Sequence, residues 1–287
     1  MATAHSAAGP AVRRAAAQRL RADVARWRAF TWRTPDWWLG GAALAAWTAL
    51  AAMFAAMSSG LHEHGGGVLL GTGATHAMPS GVHDHGGGVL LGTGATHAMS
   101  YGALLGWWAA MVVAMMLPLV RGQARWLALR SLRRHRQKAV ALFAAAFVAT
   151  WVAAGAVALA VLGPVRGEPA AVALALAVAA CWQCAAPRRR LLRRCGVLRA
   201  PAVHGPRAVA DWGRAGVLSG GRCVVTCGAL MAPMAIVHSP ALMVGTALVL
   251  VSERGRGPNP ETRGARRLEA LWIGAAALAT AALAVAA

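Results

Sequence analysis

Long apolar runs alternate with short basic stretches along this chain. Seven runs stand out, over residues 37–57, 101–120, 139–162, 169–186, 215–237, 240–252 and 268–287. A helix needs about 20 apolar residues to cross a bilayer. Five runs meet that length, the fourth is marginal and the sixth is short. The pattern predicts an all-α, polytopic transmembrane helix bundle of about seven spans, or six if 240–252 is re-entrant. Trp37 and Trp38 open the first run, where an aromatic belt belongs.

The basic stretches set an orientation. Residues 1–35 hold seven Lys and Arg, 121–138 seven, 187–214 eight and 253–267 five. The alternate connections, 59–100 and 163–168, hold none and one, Arg166. Lysine and arginine accumulate on the cytoplasmic side, so the N-terminus is expected inside. The arginines of 1–35, with Leu20, Val24 and Trp27 at helical spacing, suggest a cytoplasmic interfacial helix on anionic lipid. A signal peptide is the alternative, although the apolar run that follows is long for an h-region. The organisation is then a basic segment 1–35, a first span 36–58, an extracytoplasmic loop 59–100, a transmembrane core 101–255, and a basic loop with a last span over 256–287.

Composition narrows the class. The 287 residues are 58% hydrophobic and 13% charged, where a soluble domain has about 25% charged residues. A net charge of +20 would suit a nucleic-acid binder, but the arginines sit between apolar runs and not on a recognition element. No nucleic-acid partner is expected; membrane lipid is. The cell membrane, with several passes, is the expected location. Five cysteines, four of them in or beside apolar runs, make a poor disulfide framework and a better ligand supply.

The densest candidate chemistry lies in 222–238, RCVVTCGALMAPMAIVH. Cys223, Cys227, Met231, Met234 and His238 are spaced four, four, three and four, which puts all five on one helix face. Thiolate, thioether and imidazole together suit Cu(I). Pro233 should kink the helix and free a carbonyl beside them. Arg222 either favours thiolate at Cys223 or snorkels to the cytoplasmic surface, and Glu253 either pairs with Arg222 or is solvated. Cys181 and Cys184 form a C-x-x-C that would share a layer with Cys223 if their helices run antiparallel. Met111, Met115 and Met116 precede Pro118 in the second run, where methionine is otherwise ordinary core filler.

Loop 59–100 is a tandem duplication: HEHGGGVLLGTGATHAM recurs after 21 residues with only Glu63 changed to Asp84. It supplies His62, His64, His76 and Met78, then His83, His85, His97 and Met99. Imidazole suits copper, zinc or nickel, and the added thioether favours Cu(I). A low-complexity expansion with no role is the alternative.

WWAAMVVAMMLPL (107–119), CWQCAAPRRRLLRRC (181–195) and GGRCVVTCGALM with a following SER (220–254) resemble the predicted metal-binding integral membrane proteins, some described as copper-chaperone-like. The resemblance covers about 100–255. It implies metal contacts at Met115, Met116, Cys223, Cys227 and Met231, with Gln183 and Cys195 less firmly. The family tends to have Met-Asn where this chain has His238-Ser239. No phosphate loop or nucleophile elbow appears, and no enzymatic activity is expected. The leading expectation is a membrane copper-binding protein that delivers Cu(I) to a client cuproprotein, or takes it from a copper donor. A soft-metal permease and an assembly subunit of a membrane copper oxidoreductase are the alternatives.

Overall fold

The computed structural model describes residues 21–26, 29–65, 100–202, 205–256 and 272–273. Its helices are α1 (Trp37–Gly65), α2 (Tyr101–Leu129), α3 (Arg136–Leu162), α4 (Pro169–Cys184), α5 (Ala186–Cys195), α6 (Gly205–Ile236) and α7 (Pro240–Arg256). Four helices are long and apolar enough to cross a membrane, or five if α4 and α5 count as one broken span. At 17 residues α7 is short of a full crossing. The expected last span, 268–287, lies outside the described residues but for 272–273, as do the N-terminal 20 residues.

Several bounds differ from the hydropathy reading. α2 runs on to Leu129 and α6 starts at Gly205, so part of each expected basic loop is helix. Arginine is a good helix former, 121–129 has no proline, and Pro206 falls in the first turn of α6, where proline is tolerated. α1 likewise continues to Gly65, so positions 62 and 64 of the repeat stand on its last turns. The rest of the duplicated loop, with His76, Met78, His83, His85, His97 and Met99, lies outside the described residues.

α6 is the hub, packing against α3, α4, α5 and α7. Its tightest partner is α3. Gly216 and Gly220, four apart, present no side chain to α3: a Cβ on Gly216 would meet the Phe143 carbonyl oxygen at 2.4 Å, and one on Gly220 the Thr150 Cβ at 2.8 Å. Small residues at this spacing let helix backbones approach where lipid offers no hydrophobic drive. α2 joins α3 in the same way at Gly155, where a Cβ would stand 2.0 Å from the Trp108 indole nitrogen.

Indole donors stitch the other contacts. Trp108 Nε1 donates to the Trp151 carbonyl at 3.0 Å. Trp47 Nε1 donates to the Ala114 carbonyl at 3.1 Å, joining α1 to α2. That carbonyl is free because its helical partner would be Pro118, which has no N–H. At the other end of α1, Asp36 accepts from Arg121 Nε at 3.1 Å.

The surface of the bundle is apolar. Leu44, Val157, Val161, Leu174, Val178, Leu248 and Val251 are each more than half exposed. In α1 and α3 only 17% and 22% of the apolar window is buried. Apolar outer faces of this kind are compatible with a lipid surround.

Candidate metal centre

Four of the five stripe residues, Cys223, Cys227, Met231 and Met234, lie on the buried face of α6, and the fifth, His238, is buried just past its end. Met231 and Met234 are 0% and 1% exposed, and Cys223, Cys227 and His238 no more than 8%. Cys223 and Cys227 are one turn apart on the same buried face, a rise of about 6 Å. Thr226 sits between them. Its hydroxyl donates into its own helix and lies 3.6 Å from Cys227 Sγ.

A third thiol reaches the same hydroxyl. Cys195, the last residue of α5, places Sγ 3.8 Å from Thr226 Oγ1. Gln123 of α2 holds it there by donating Nε2 to its carbonyl at 2.6 Å. Cys195 stands past the broken span, and burial raises its thiol pKa.

Cys181 and Cys184 are placed differently from expectation. Both are exposed and do not join the buried thiols. The reason is in the register of α4. Its buried positions are Val172, Ala173, Leu176, Ala179 and Gln183, a stripe with helical period. Both cysteines fall off that stripe, Cys181 on nearly the opposite face of the helix. The chain then breaks at Ala185 and turns by 68° into α5, which carries Cys195 back to α6. Gln183 is 2% exposed, with neither amide nitrogen nor oxygen partnered among the described residues.

The charged partners are also rearranged. Glu253 pairs with Arg188 and not with Arg222. Arg188 is 0% exposed and donates to both carboxylate oxygens, at 2.8 and 2.7 Å. Its Nε donates to the Thr226 carbonyl at 2.9 Å, tying α5, α6 and α7 together beside the thiols. Arg222 donates instead to the Val197 carbonyl at 2.9 Å. Arg188 was not singled out in the sequence because it is one of three consecutive arginines, and nothing in their spacing marks the one that turns inward.

Met111, Met115 and Met116 of α2 are buried in the same core as the α6 methionines. His238 is 6% exposed and lies against Trp107, ring centroids 5.3 Å apart. It stands beyond the last residue of α6. Burial, with a contribution from Arg166, lowers its pKa to about 4, so its imidazole is neutral near pH 7. Its Nδ1 has no hydrogen-bond partner among the described residues.

The donor set fits a soft monovalent ion better than a hard or tetrahedral one. Among the described residues, no three His, Cys, Asp or Glu side chains converge as a zinc or calcium site would require. Two adjacent thiols, a nearby third and buried thioethers remain, and low-coordinate sulfur sites suit Cu(I).

No curated protein and no solved structure matches the chain significantly. A family model described as "PpoB2: Copper chaperone" matches residues 105–284, more than half of the chain, including every helix from α3 to α7 and nearly all of α2. The chain belongs to this copper chaperone family.

Proposed function

We propose that this protein is a non-enzymatic, multi-pass membrane copper chaperone that carries Cu(I) as cargo on Cys223 and Cys227 and passes it to a client cuproprotein. The observation that carries this reading is the pair of buried thiols one helical turn apart, in a chain of the copper chaperone family. Thiolate binds Cu(I) tightly, and the apolar surroundings keep water from the ion. Cys195 and Met231 are neighbours suited to complete or exchange with the pair. A pair that can gain and lose a third sulfur releases cargo to an acceptor without passing through a free ion.

The duplicated His/Met loop captures copper outside the cytoplasm in this account, with zinc or nickel as weaker guests. The lack of Lys and Arg in 59–100 supports that side, with a cytoplasmic N-terminus and about seven spans. Ser80→Cys should then react with an impermeant maleimide in intact cells; reaction only after lysis would invert the orientation.

A permease is the second reading, favoured by the buried methionines of α2 and α6, which offer sulfur along the bundle's length. Proteoliposomes separate the two. A chaperone hands bound Cu(I) to an external apo-cuproprotein without net flux into the lumen. Copper accumulating in the lumen at catalytic protein levels would overturn the chaperone reading.

A further inference from the structure

We propose that His238, Trp107, Met111 and Met234 form a second soft-metal site, separate from the thiol pair, which takes Cu(I) or its congener Ag(I) as the ion enters the bundle. The proposal rests on the reading above only for the identity of the cargo.

Two contacts fix how α2 and α6 run. Trp107, near the start of α2, meets His238, just past the end of α6. Gln123, near the end of α2, bonds Cys195, which lies beside Thr226 in the middle of α6. The helices are therefore antiparallel. One turn inward from Trp107 is Met111, and one turn inward from His238 is Met234. The Val237 N–H bonds the Pro233 carbonyl at 2.9 Å, so the helical turn continues almost to His238. The Trp107–His238 layer thus stands above a layer at the level of Met111 and Met234.

The chemistry of these four residues points to a ligand. His238 Nδ1 is buried without a hydrogen-bond partner among the described residues, and the Trp107 ring lies against it. Buried polar atoms in folded proteins nearly always have such a partner, and exceptions mark binding or catalytic sites. An imidazole and two thioethers are soft donors, and an indole face attracts a cation. None of the four brings negative charge, and Arg166 is close enough to act on His238. The site therefore holds a monovalent ion more loosely than the thiols, and transfer from one to the other runs downhill. Met115 and Met231, buried one turn further in, lie between the two sites.

The test uses the full chain in detergent with all five cysteines changed to Ser and the six loop histidines (His62, His64, His76, His83, His85, His97) changed to Ala. Equilibrium dialysis against Ag(I) in chloride-free buffer counts bound ions. One Ag(I) per chain is expected. Met111→Leu with Met234→Leu, which conserves volume and packing, should abolish it. Trp107→Phe should weaken it by about ten-fold. No bound Ag(I) in the background chain, or binding undiminished by the paired Met→Leu change, would overturn the proposal. With the cysteines intact, the Met→Leu pair should still retain thiol-bound Cu(I). Loss of the outer site and loss of the thiol site are thus read separately.

Discussion

Glu253→Gln tests how much of the bundle hangs on one buried charge. The substitution keeps the shape of the side chain and removes its charge. Arg188, 0% exposed, then keeps a positive charge with only neutral partners: a carboxamide and the Thr226 carbonyl. Both short bonds to the carboxylate, 2.8 and 2.7 Å, lose their ionic part. Breaking a buried pair from one side costs about 3–5 kcal/mol, because the desolvated charge is left uncompensated. At roughly 2 °C per kcal/mol for a chain of this size, the thermal midpoint in detergent should fall by about 6–10 °C. The double change Arg188→Met with Glu253→Leu removes both charges and should recover most of that loss. Copper binding should respond too, since Arg188 Nε holds the residue between Cys223 and Cys227. A Glu253→Gln protein melting within about 2 °C of wild type, or a double variant less stable than the single one, would refute a desolvated pair.

Two further outcomes follow from the packing and from His238. Gly216→Ala forces a methyl group to within 2.4 Å of the Phe143 carbonyl oxygen, a backbone atom that cannot swing aside, so stability in detergent should drop by about 1–3 kcal/mol; Gly213→Ala, with open space around its Cβ, should be neutral. His238 has its pKa lowered from 6.5 to about 4, so the unfolded chain takes up its proton first. Its contribution is complete above pH 6.5 and is lost as pH falls toward 4, by at most about 3 kcal/mol. His238→Gln should therefore flatten the melting temperature between pH 7 and 4.5, and an unchanged acid limb would contradict the buried neutral imidazole.

Much of the bundle was legible because bilayer-length apolar runs leave few alternatives, and the helical period put Cys223, Cys227, Met231 and Met234 on the buried face of α6, while His238 falls past its end. The ends of α2 and α6 were not, since arginine ends a membrane span but not a helix. Hydropathy cannot distinguish the two. The C-x-x-C of α4 misled for a different reason. Cysteine spacing alone does not say which face is buried, whereas the run Val172, Leu176, Ala179, Gln183 carries the helical stripe and sets both cysteines off it. Cys195 lies in a polar, arginine-rich segment, and only the turn at Ala185 brings it back to Thr226. The Arg188–Glu253 pair joins residues 65 positions apart, beyond the reach of any local pattern.

The central claim is that Cys223 and Cys227 together hold the cargo. Anaerobic Cu(I) titration against a chelator strong enough to strip the loop histidines tests it on purified protein in detergent. Wild type should retain one Cu(I) in a sulfur-dominated X-ray absorption environment. Cys223→Ser and Cys227→Ser should each abolish that retention, and the double change should cost no more than either. Cys181→Ser with Cys184→Ser should leave it unchanged, because those thiols are exposed. A Cys223→Ser, Cys227→Ser protein that keeps one Cu(I) with wild-type affinity would contradict the account.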